Sequence, residues 1–168
     1  MSATSITHDM VDRVRNRDYS WARIVSDIFS PPVVWAFMVI PVAFKYTQST
    51  SDAWLWSLLY IGLLCIAPVT YIALMVRMGK ISDIHIENRN ERLLPYLFTL
   101  LCALVGWWLM RVMGAPAALP LLLIFSMIQI LVMALITLLW QISMHAMSIA
   151  GAVVALTIFF GTTYALIS

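Results

Sequence analysis

Two short stretches of this 168-residue chain carry side chains whose types and spacing suit a phosphate. The first is residues 80–92, with Lys80, Arg89 and Arg92, the acids Asp83, Glu87 and Glu91, and His85. Arginine meets a phosphate as a rigid two-pronged donor and lysine as a point charge. Arg89 and Arg92 are three apart, so on a helix they share a face. Asp83 and Glu87 have i, i+4 spacing and would orient those cations or approach a divalent ion. A metal cage needs more convergent oxygens than this, so no metal is assigned. The plain alternative is a solvated loop whose bases sit on anionic headgroups.

The second stretch is Trp140-Gln141-Ile142-Ser143-Met144-His145. Ser143 is placed to cap a following helix. A helix start offers unpaired N–H groups and a favourable dipole to an anion. His145 falls in the same turn, and a histidine at a span boundary is costly to bury without partners. The plain alternative is a capping serine beside a hydrogen-bonded interfacial histidine.

The elements that must position these groups are apolar. The chain is 62% hydrophobic and 11% charged, with a mean hydropathy of +0.93. Soluble domains average roughly 45–50% apolar and about 25% charged. An ordinary soluble domain, a disordered chain and a collagen-like chain are therefore excluded. The apolar runs are continuous rather than alternating, which argues against a barrel. The net charge is +2 and no basic stripe interleaves with aromatics, so a nucleic-acid binder is not expected. Cys65 and Cys102 sit inside apolar runs and read as small core residues.

The expected fold is all-α, a polytopic transmembrane helical bundle of about five spans behind an amphipathic N-terminal helix. Residues 1–30 form the N-terminal interfacial segment and 31–168 the bundle. Val14, Trp21 and Ile28 recur every seven residues on one face of the N-terminal helix. Ser30-Pro31-Pro32 ends that helix. The expected spans are 33–46, interrupted by Pro41; 53–78, kinked at Pro68; 93–113; 119–141; and 146–167. The polar loop 79–92 joins the second and third spans. No hydrophobic signal peptide with a small-residue cleavage site is expected at the start.

Two spans separate the polar loop from the Ser143 turn, so both stretches emerge on one side of the membrane. Lysine and arginine counts set the orientation. With the N-terminus inside, eight cations (Arg13, Arg15, Arg17, Arg23, Arg77, Lys80, Arg89, Arg92) are internal and two (Lys45, Arg111) external.

The pair of stretches, in this order, resembles the type 2 phosphatidic acid phosphatase superfamily. Its three motifs are K-x6-R-P, P-S-G-H and S-R-x5-H-x3-D. Ser143 and His145 match the serine and histidine of the second motif, with Ile142 and Met144 in place of its proline and glycine. Lys80, Arg89 and Arg92 look like a divergent first motif. Eight residues separate Lys80 from Arg89 and eleven separate it from Arg92, and no proline follows. The combination Ser82-Asp83-x-His85-x-x-x-Arg89-x-x-Arg92 with Trp140-x-Ile142-Ser143-x-His145 is similar to small bacterial members. The resemblance spans roughly residues 20–168.

It implies a bacterial inner-membrane hydrolase of lipid phosphates or isoprenoid diphosphates. Lys80, Arg89, Arg92 and Ser143 would hold the phosphate. His145 would protonate the leaving group, with Asp83, His85 and Glu87 in support and no cofactor. The third motif has no counterpart, because no histidine, arginine, lysine or acid follows His145. The expectation is thus a degenerate or truncated phosphatase-like protein.

A different class competes: a non-catalytic accessory subunit of a larger membrane complex, energy-converting or pigment-binding. Seven Trp, seven Phe and eleven Met suit broad apolar contact. A transporter is less supported. Polar intramembrane residues are few, Ser126, Gln129, Thr137 and Gln141 among them, and no span carries a central charge. A prenyltransferase would need paired aspartate motifs, which are missing.

Overall fold

The computed structural model describes residues 21, 28–80, 93–140 and 143–161. Among them there are five helices and no strand: α1 (Pro31–Tyr46), α2 (Thr50–Arg77), α3 (Leu93–Val112), α4 (Ala118–Leu139) and α5 (Met144–Phe160). The amphipathic helix expected before residue 30 and the polar loop's Asp83, His85, Glu87, Arg89 and Arg92 lie outside the described residues.

Three of these helices, α2, α3 and α4, are long and apolar enough to cross a membrane. The chain is an all-helical membrane protein. The expectation of five spans is only partly met. α1 and α5 have 16 and 17 residues, against the roughly 20 that cross a hydrocarbon core. In α1 the expected interruption at Pro41 does not occur; Pro41 sits inside a continuous helix. That helix opens with Pro31 and Pro32 in its first two positions, where proline's missing donor costs nothing.

α2 solves its proline problem differently. Residues Ile61–Ile66 form a π-helical stretch, and the Ala67 N–H reaches back five residues to Gly62 O. The widened turn ends just before Pro68, whose ring would otherwise press on the carbonyl four residues earlier. The stretch packs on α3 at Gly106. A Cβ there would lie 3.3 Å from Leu63 Cδ1 and 3.7 Å from Leu123.

Successive helices run antiparallel: across α2 and α3, Tyr71 stacks on Phe98 at 4.2 Å while Leu63 lies against Gly106, and short links join the other pairs. α2 and α3 each finish in a Schellman turn on a glycine at positive φ, Gly79 (67°) and Gly114 (78°). In the first, Lys80 N–H bonds Met75 O at 2.9 Å; in the second, Ala115 N–H bonds Met110 O at 2.9 Å. The bundle therefore has two ends. One gathers the C-termini of α1, α3 and α5 and is called here the Lys45 end. The other gathers the C-termini of α2 and α4 with the N-termini of α3 and α5, and is called the Ser143 end.

The core is Val39, Val42 and Ala43 of α1, Tyr60 of α2, Met110 of α3, and Leu119, Leu122 and Leu123 of α4. With no water in a bilayer, hydroxyls in the helices must find partners inside the protein. Ser57, Thr70, Thr99, Ser126 and Thr157 all donate to the carbonyl four residues back, at 2.7–2.9 Å. Tyr60 joins this system through a 2.8 Å bond between its hydroxyl and Ser126 Oγ.

Candidate functional site

At the Ser143 end the chain leaves α4 in extended backbone at Trp140 (φ −140°, ψ 146°). It enters α5 through Ser143, also extended (φ −73°, ψ 117°). Ser143 is the N-cap of α5. Its Oγ accepts the Ala146 N–H at 3.4 Å, and its carbonyl accepts the Met147 N–H at 3.2 Å. The 3.4 Å cap contact is long, so the hydroxyl is only loosely engaged. The N–H groups of a first helical turn have no acceptor within their own helix. No acid lies in this first turn to neutralise the positive end of the dipole. His145 occupies the same turn, half-buried and engaged in contacts of its own.

The remaining candidates divide into those described and those not. Lys80 is exposed just past the α2 C-terminus, next to exposed Arg77, and both belong to the Ser143 end. The structure thus brings Ser143 and His145 into one turn and puts Lys80 at the same end of the bundle. Asp83, His85, Glu87, Arg89 and Arg92 lie outside the described residues. Among the described residues no three His, Cys, Asp or Glu side chains gather as a metal would require.

Three polar features were not assigned roles by sequence reasoning. Gln129, halfway along α4, donates from Nε2 to Met147 O of α5 at 2.7 Å. Its amide lies flat on Gly151: a Cβ built there would land on Gln129 Oε1 and within 2.6 Å of Nε2. Thr137 and Ser148 are almost fully buried, yet their hydroxyls meet no hydrogen-bonding partner among the described residues. The third feature is at the opposite end, where Lys45 Nζ and Tyr46 Oη both donate to Phe159 O, at 2.6 and 3.0 Å. A glutamine in mid-span was the available signal for the first feature, since an amide in hydrocarbon demands partners. Which helix supplied them was not legible.

No family model, curated protein or solved structure matches this chain.

Proposed function

We propose that this protein binds a lipid-borne phosphate at the Ser143 end of its bundle, as a divergent protein resembling the type 2 phosphatidic acid phosphatases. The observation that carries the reading is the α5 N-terminus. A loosely engaged serine cap, a histidine and an acid-free first turn coincide there, at the end of the bundle that also carries Arg77 and Lys80. Phosphate oxygens would take the first-turn N–H groups and the Ser143 hydroxyl. Lys80, Arg89 and Arg92 would balance the charge, with Asp83, His85 and Glu87 orienting them. His145 would donate a proton to a leaving oxygen. Binding is the function assigned, and turnover would further need a nucleophile that attacks phosphorus as His145 protonates the leaving oxygen. The excess of cations at this end favours placing it at the cytoplasmic face of a bacterial membrane, with the N-terminus inside.

The test uses the full chain in nanodiscs of neutral lipid, titrated with lysophosphatidate, with phosphate release followed in parallel. Saturable binding is expected, weakened at least roughly tenfold by His145→Ala, equivalent to about 1.4 kcal/mol. Binding that neither His145→Ala nor Arg89→Ala weakens would overturn the proposal. A chain that binds no lysophosphatidate and instead purifies at fixed stoichiometry with a larger membrane complex would point to the accessory-subunit reading.

A further inference from the structure

The two ends of the α4–α5 pair are not equally level. From the Gln129–Met147 bond toward the Lys45 end, α4 runs eleven residues to Ala118 and α5 thirteen to Phe160, about 16 and 20 Å at 1.5 Å per residue. Those ends are level to within one turn. In the other direction α4 continues ten residues to Leu139, about 15 Å, while α5 has only three residues left to Met144, about 4.5 Å. Allowing for the reach of a glutamine side chain, α4 overhangs the α5 N-terminus by one to two turns, about 5–10 Å. The tip of the overhanging turn is exposed, Leu139 85% and Trp140 73%, while Thr137 on the same turn is buried. Extended backbone at Trp140 and Ser143 lets the chain climb back over this distance.

We infer that Gln129 and Gly151 are positioning residues that set the depth of the α5 N-terminus, holding it in a recess below the rim made by the last turn of α4. Two observations converge on this. Met147 O is the acceptor for Gln129 and lies in the opening turn of α5, so the bond fixes that turn rather than the helix as a whole. Gly151, one turn further on, seats the amide where a Cβ would stand. Any larger residue there displaces the Gln129 amide from this seat and so breaks its bond to Met147 O. The inference rests on the reading that the α5 N-terminus receives an anion, and it adds where that anion sits. The phosphate would be held below the rim, screened on one side by Leu139 and Trp140.

Depth is read directly. Nitroxide labels at Leu139→Cys or Ala146→Cys, in a Cys65→Ala, Cys102→Ala background, are placed relative to the bilayer by collision with oxygen and a nickel chelate. In the otherwise native chain the label at 146 is expected about 8–13 Å from the level of the label at 139, the one-to-two-turn overhang plus the two residues from Met144 to Ala146. Gln129→Met keeps the volume and removes the donor; Gly151→Ala removes the seat. In each, the fraction that remains monodisperse should show the offset changed by several ångströms and lysophosphatidate affinity reduced. Gln129→Ala with Gly151→Ala relieves the clash but not the lost bond, so it restores folding while the offset stays altered. Labels at equal depth in the native chain, or an offset unmoved in all three variants, would overturn the inference. If the offsets behave as expected but the native chain binds no lysophosphatidate, the positioning role stands and the phosphate reading fails.

Discussion

The two ends of this bundle treat the two termini of α5 in opposite ways. At the Lys45 end the terminus is consumed. Phe159 O, a carbonyl of the last turn of α5, receives both the Lys45 ammonium and the Tyr46 hydroxyl. Phe44 and Trp54 pack edge to face at 5.4 Å over the α1–α2 link. At the Ser143 end, α5 begins with a 3.4 Å cap and no acid. Among the hydroxyls, Thr70 and Thr99 toward the Ser143 end bond back to their own helices as Ser57, Ser126 and Thr157 do, whereas Thr137 in the last turns of α4 and Ser148 in the second turn of α5 do not. A membrane protein gains by pairing every polar group it buries. An end that leaves donors and hydroxyls available is where a ligand's polar atoms would be accommodated.

The largest stability effect is expected from opening the consumed end. Lys45→Met with Tyr46→Phe removes both donors from Phe159 O and the ammonium that lies 4.7 Å from the Phe160 ring centre. Roughly 2 kcal/mol of unfolding free energy should be lost, given that a charged hydrogen bond contributes more than a neutral one and that pairs within a membrane are worth somewhat less. Lysophosphatidate binding in the folded fraction should not change. Weakened binding would erase the contrast between the ends.

A smaller effect sharpens the comparison because the same chemistry occurs once at each end. Gly79 and Gly114 close matching turns at φ 67° and 78°, and a Cβ at either meets nothing within 4 Å. Alanine at each should therefore cost about 1 kcal/mol from backbone conformation alone. The functional consequences should differ. Gly79→Ala disturbs the turn that presents Lys80 and should lower lysophosphatidate affinity severalfold; Gly114→Ala should leave it unchanged. Equal losses of affinity would mean that binding follows stability and not the site.

The middle of the bundle belongs to neither end and gives a reference. Tyr60→Phe breaks the 2.8 Å bond to Ser126 without opening a cavity. A loss of about 0.6–1.7 kcal/mol is expected, the range seen for hydrogen bonds between membrane helices. Measured against Tyr60→Phe with Ser126→Ala in a double-mutant cycle, the coupling isolates this pair.

Several of these features could be read directly from the residues. Continuous apolar runs fixed the helical class. Ser143 was expected as a cap because a serine precedes an apolar helical run. Span lengths were not legible, because hydropathy cannot tell a residue in a helix from its apolar neighbour in a link. The expected fourth span, 119–141, overran Leu139 into extended backbone at Trp140 for that reason. The place of the expected kink at Pro68 coincides with the π-helical stretch Ile61–Ile66, a backbone form that hydropathy and proline position alone do not specify. The site was legible as a turn with the right residue types. Its depth was not, because depth depends on which helix Gln129 meets, a long-range fact that no local pattern carries.

The smallest expected effect on stability separates the two roles of Ser143. Ser143→Ala should cost about 0.5 kcal/mol, at the low end for a cap because the contact is long. Ser143→Gly should cost only a few tenths, since glycine tolerates the cap geometry without a side chain. If the hydroxyl serves only the helix, affinity for lysophosphatidate should follow that order, with glycine close to the native chain. If the hydroxyl itself meets a phosphate oxygen, alanine and glycine should lose affinity equally, by roughly three- to tenfold for one hydrogen bond to a charged group. Ser143→Thr, which keeps the hydroxyl and caps nearly as well, should then recover most of it. A glycine variant that binds as the native chain does would remove Ser143 from the site and leave the α5 N–H groups and His145 to hold the anion.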